Sequence, residues 1–131
     1  MSNFKKIFSD SVFSTFNFLI SDYGFVFKED PETVFTARND KCEVMISWDR
    51  PLHIAVMIKP PYYYKPSLDL NQIVHYFNDK TGLAVRNIKE EEIADEMSRM
   101  AQLLKEYCMP MLKGDFSEWH KIRNHYDGVQ K

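Results

Sequence analysis

FVFKEDPETVFTARNDKCEVMISWDRPLHIAVMIK, residues 25 to 59, decides the fold. Apolar residues alternate along it with a period of two, in contrast to the helical period of the residues before it. Four strand candidates emerge: FVFK, TVFTAR, CEVMISWD and HIAVMIK. DPE (30 to 32), RNDK (38 to 41) and DRP (49 to 51) separate them, and all three are good turn material. Connections this short join only antiparallel neighbours. The stretch predicts a four-stranded antiparallel meander.

The pleat follows from the alternation. Cys42, Val44, Ile46 and Trp48 share one face of the third strand, and Ile54, Val56 and Ile58 share that face in the fourth. Phe25, Phe27, Phe35 and Ala37 complete it. The opposite face carries Val26, Lys28, Val34, Thr36, Arg38, Glu43, Met45, His53, Ala55, Met57 and Lys59. An apolar patch rimmed by polar groups is the usual footprint of a partner. Val34, Met45 and Met57 are therefore candidate contact residues, provided no helix covers them.

Working outward, residues 4 to about 21 read as one amphipathic helix. Phe4, Ile7, Phe8, Val12, Phe16, Leu19 and Tyr23 form its stripe, and Gly24 stops it. Beyond the meander, Ser67 is the expected N-cap of a helix over SLDLNQIVHYFN, with Asp69 in its first turn. A longer helix begins near Lys89, with Ile93, Met97, Met100, Leu104, Tyr107 and Met111 along one side. Pro110 must end or kink it. Gly114 stops it, and Asp115 with Glu118 resembles a capping box for a last helix bearing Phe116, Trp119, Ile122 and Tyr126. The expected architecture is a single α+β domain over 1–131, with two to three C-terminal helices on one face of the sheet.

PPYYYKPS, residues 60 to 67, joins the last strand to the first of those helices. Its prolines favour an extended path with three residues per turn, so successive side chains point about 120° apart. Tyr62, Tyr63 and Tyr64 cannot all face the core on such a path. One reading makes them rigid cover for the core edge, with hydroxyls left wet. The other makes an exposed tyrosine a binding anchor.

Composition narrows the classes. The hydrophobic fraction is 44% and the aromatic fraction 15%, enough for one core without disulfide or metal staples. The formal net charge is -2, and the only charge run, KEEEIADE (89 to 96), is acidic. A nucleic-acid binder would show a basic stripe. No stretch approaches the roughly 18 apolar residues of a membrane span, and the N-terminus lacks the cleavage site of a signal peptide. The chain reads as soluble and cytoplasmic, without nucleic acid or membrane as partner.

Catalytic equipment is not evident. The four glycines are isolated, so no phosphate-cradling loop forms, and GxSxG, HExxH and CxxC patterns do not occur. His120 and His125 stand about 140° apart on a helix, so a zinc site would need ligands from elsewhere, such as Cys108 or Asp127. Cys42 opens a strand beside Glu43, an unhelpful neighbour for a thiolate. The acidic run is most simply an exposed helix start. No catalytic residue, metal or cofactor is assigned.

YGF at 23 to 25, the meander and LLKEYCMPMLKGDFSEW (103 to 119) together resemble small bacterial α+β proteins, among them immunity proteins of toxin systems. That resemblance is one of layout. It implies a non-enzymatic module that neutralises a toxin by binding it, and it assigns no site to particular residues. The expected partner is a protein, with a homodimer as one form of it. The alternatives are a small-molecule binder with an apolar pocket between sheet and helices, or a protein similar to the small acidic secretion chaperones.

Overall fold

A computed structural model describes residues 4–29, 34–49, 53–61, 67–78 and 89–129. It is an α+β fold: a helical N-terminus, a five-stranded antiparallel sheet and C-terminal helices. The strands are β1 (Val26–Glu29), β2 (Val34–Arg38), β3 (Glu43–Asp49), β4 (His53–Lys59) and β5 (Leu68–Asp69), paired in chain order. The register sets Val44 opposite Ile58, Ile46 opposite Val56 and Met45 opposite Met57. The expected meander is present, with one strand more.

That extra strand corrects the expected helix start. Ser67 precedes β5, and the N-cap is Asp69, whose extended backbone (φ -73°, ψ 139°) lets it also close the strand. Asp69 Oδ1 accepts from the Asn71 N–H at 2.8 Å, and Gln72 Oε1 accepts from the Asp69 N–H at 3.1 Å. This is a complete capping box. The sequence signal Asp-x-x-Gln was there; the pairing of Leu68 with Ile58 is a tertiary effect that no local pattern carries.

The N-terminal helix is two helices, α1 (Phe4–Thr15) and α2 (Asn17–Tyr23). Phe16 breaks them with φ -100° and ψ 13°. Ser14, Thr15 and Asn17 flank the break, and such side chains favour non-helical backbone. The bend keeps the expected stripe intact, because Phe8, Val12, Phe16 and Leu19 are all buried. Gly24, at φ 69°, closes α2, and the next N–H, that of Phe25, bonds the Leu19 carbonyl.

Inner-face residues Phe35, Ala37, Val44, Ile46, Ile54, Val56 and Ile58 are buried, together with Cys42. Helices α3 (Leu70–Phe77), α4 (Ile93–Tyr107), α5 (Met109–Leu112) and α6 (Ser117–Val129) supply the other half of the core. A single 3-10 turn, Glu90–Glu92, leads into α4. The predicted stripe holds: Ile93, Met97, Met100, Leu104 and Met111 are buried and Tyr107 is partly so.

Pro110 acts as a boundary. The chain leaves α4 at Cys108 and restarts as α5, with the proline in the first turn where its missing N–H costs nothing. Gly114, at φ 99°, then closes α5 with an Asp115 N–H to Pro110 carbonyl bond of 2.9 Å. Asp115 does not form the expected box with Glu118. Its carboxylate instead accepts from the N–H and hydroxyl of Ser117, at 3.1 and 2.7 Å, and Glu118 turns to Lys121. Those bonds hold the Asp115 carboxyl below the usual carboxylate range.

One bond ties α6 to the sheet across 61 residues of sequence. The fully buried indole of Trp119 donates to the Ile58 carbonyl at 2.9 Å. No described helix is long and apolar enough to cross a membrane.

Candidate functional site

The outer face of the sheet is built by the register. One row runs Lys28, Thr36, Met45, Met57, Asp69, and beside it lies Val34, Ser47, Ala55. A third row sets Val26, Arg38, Glu43 and Lys59 side by side. Glu43 lies between the two cations of that row, 3.4 Å from the Arg38 guanidinium and 3.4 Å from the Lys59 ammonium.

The inner-face side chains of β2 to β4 are buried, apart from Trp48, which is partly so. Every described outer-face side chain of those strands keeps contact with solvent. Val34, Met45 and Met57 are thus brought together as a half-exposed apolar centre with charges at its rim. Tyr62, Tyr63 and Tyr64 lie outside the described residues.

Cys42 and Cys108 are free and buried. Burial pushes the Cys108 thiol up to about 12. It pushes Cys42 up as well, and the neighbouring Cys108 adds to that shift. A thiol that stays protonated is a poor nucleophile.

The histidines do not converge either. The His120 ring packs edge-on against Trp119, with centroids 5.2 Å apart, whereas His125 packs against Tyr76 at 5.5 Å. No group of three His, Cys, Asp or Glu side chains among the described residues is placed to share a metal ion.

Three features were missed from sequence. First, Glu96 departs from the exposed helix start expected of the acidic run, being only 3% exposed. The Arg99 guanidinium holds it through two bonds of 2.9 Å, and these bonds raise the arginine's own pKa. Its position beside Met97 on the buried side of α4 was the available signal. Bidentate, charge-assisted bonds of this kind add geometric definition as well as energy.

Second, an aromatic cluster gathers at the C-terminal ends of α3 and α4. Tyr76 stands edge-on to Phe77 at 5.3 Å, and Phe77 stacks on Tyr107 at 6.1 Å. Phe77 and Met109 are exposed. Tyr76 and Phe77 end α3 on its solvent side, unlike the adjacent buried pair Ile73 and Val74.

Third, a surface cleft of about 250 Å3 is lined by Asp22, Tyr23, Asn39, Lys41, Leu112 and Lys113. Asn39 builds it. Its amide donates to the Tyr23 carbonyl at 2.9 Å, and its oxygen accepts from the N–H groups of Lys41 and Cys42 at 2.7 and 2.8 Å. Asn39 thereby fastens the β2–β3 hairpin to the end of α2.

Between sheet and helices, Val44, Ile46, Val56, Met97 and Leu104 are buried side by side in the core.

Comparison with family models, with curated proteins and with solved structures finds no match.

Proposed function

We propose that this chain is a protein-binding module that works without catalysis, as an immunity-like inhibitor of a bacterial toxin, and that it engages a folded partner through the outer face of its sheet. The observation that carries this reading is the asymmetry of the sheet. One face is closed by helices, and the other presents Val34, Met45, Ala55 and Met57 half-exposed, beside the Arg38–Glu43–Lys59 row. Methionine suits such a surface, because its flexible thioether adapts to the shape opposite. The buried, protonated thiols and the fully engaged Glu96 support a binding role over a chemical one.

The test uses a photoreactive residue at position 45 or 57, expressed in the host cell, with position 106 on the exposed side of α4 as control. The adduct is identified and the pair rebuilt from purified proteins. We expect adducts at 45 and 57 and not at 106, and a rebuilt complex that suppresses the partner's toxicity. Met57→Glu should weaken it by about 30-fold or more, the loss expected of an interface hot spot, with circular dichroism unchanged. Adducts without preference for this face, or a complex indifferent to both Met45→Glu and Met57→Glu, would overturn the reading.

A further inference from the structure

The two edges of the sheet are finished differently. At one, β5 is only two residues long, and its Asp69 N–H is committed to Gln72. The Ile58 carbonyl beside it takes the Trp119 indole. At the other edge, β1 runs four residues with nothing described beyond it. Val26 is 73% exposed, and Lys28 and Glu29 are exposed with no ion pair among the described residues. Alternate residues of an edge strand turn their N–H and C=O groups outward, a ready template for another strand.

We propose that β1 accepts an extended segment of another protein as a sixth, antiparallel strand. The segment, read from its N-terminus, carries a basic residue, an acidic residue and then two apolar residues. Directly opposed residues of an antiparallel pair stand on the same face of the sheet. The acid therefore meets Lys28 on the outer face, and the base meets Glu29 on the inner one. The apolar pair stands across from Phe27 and Val26.

Phe13 supports the inner apolar position. Its ring packs on Phe27 at 5.6 Å and edge-on to Phe35 at 5.3 Å, yet 43% of the residue remains exposed. A side chain opposite Phe27 would extend that cluster past the present edge. The proposal does not depend on the outer face binding anything, and its test leaves Met45 and Met57 untouched.

A second copy of the chain fits this edge poorly. Two antiparallel β1 strands with like faces together can centre on Lys28, which opposes two ammonium groups. They can also centre on Phe27, which sets Lys28 against Val26. Neither register gives Lys28 or Glu29 an opposite charge. The same charges that guard the edge against self-pairing select a complementary strand.

The probe is the capped peptide Thr-Lys-Glu-Val-Ile-Thr, titrated into 15N-labelled protein, with Thr-Glu-Lys-Val-Ile-Thr as its charge-swapped control. We expect amide shift changes centred on residues 26 to 29, slowed exchange of alternate N–H groups there, and binding about five-fold tighter for the first peptide. The double variant Lys28→Glu, Glu29→Lys, with an otherwise unchanged amide spectrum, should reverse that preference. Absent or scattered shifts at millimolar peptide, equal binding of both peptides, or protection of residues 26 to 29 that grows with protein concentration alone would each overturn the proposal.

Discussion

The inner and outer faces of this sheet are made by the same five strands, residue by residue in alternation, and they have opposite physical characters. Met45 and Ile46 are neighbours on β3. Ile46 has no contact with solvent, whereas Met45 is half-exposed in the centre of the outer face. On the inner side the helices fix every position by packing, so side-chain volume matters to within a methylene group. On the outer side the strands are held by their ladder, and side chains are constrained mainly by their cross-strand neighbours. A surface of the second kind can change without unfolding the protein.

The sharpest way to break this comparison is to truncate both neighbours. Ile46→Ala should cost about 2–4 kcal/mol in urea unfolding, from lost burial plus the cavity left behind. Met45→Ala should cost under about 1 kcal/mol, since a half-exposed side chain leaves no closed cavity. Equal losses would mean that the outer face is structural after all. Next comes Trp119→Phe, which keeps most of the packing and removes the N–H that the buried Ile58 carbonyl receives. A loss of about 1–3 kcal/mol is expected, with the m-value unchanged.

The faces were legible in the sequence because period-two alternation reports pleat directly, and the helical stripes were legible for the same reason. What alternation does not report is where backbone groups find distant partners. The Trp119–Ile58 bond and the two-residue β5 both depend on α6 and β4 meeting across the fold. The bend at Phe16 is local but weakly encoded, since Ser, Thr and Asn lower helix preference without forbidding it. Of the candidate contact residues, Val34, Met45 and Met57 came from the pleat and are where it put them. The open edge at β1 was not seen, because an edge is defined by the absence of a neighbour, and sequence lists only what is present.

The third test concerns a thiol. In the folded chain burial pushes Cys108 up to about 12, from an ordinary value of 9.0. Below pH 9 the thiol is protonated in both states, and its contribution to stability is fully present. As pH rises from 9 towards 12, the unfolded chain releases the proton first, so stability is lost across that window. At pH 10 the loss attributable to this group is on the order of 1 kcal/mol. Cys108→Ala lowers stability at every pH, but it should flatten the slope between pH 9 and 10.5 relative to the wild type. An identical slope would mean that Cys108 is open to water, and the inner side would then be less closed than its packing implies.

The smallest effect is expected at the centre of the outer-face charge row. Glu43 accepts from Arg38 at 3.4 Å and pairs with the Lys59 ammonium at 3.4 Å, while both cations keep solvent contact. Pairs of this kind gain little, because water already solvates the partners and long side chains lose freedom in holding one geometry. Glu43→Gln keeps the shape and a hydrogen-bonding oxygen, so the expected loss is about 0.5–1 kcal/mol at low salt, shrinking as salt screens the pair. Thermal unfolding at low and at high sodium chloride measures both quantities. A loss near that of Ile46→Ala, insensitive to salt, would show that the row holds the sheet together, and the contrast between the faces would fail at its centre. A small, salt-dependent loss leaves the row as a solvated surface feature, and the contrast between the two faces then holds even where the outer one is most ordered.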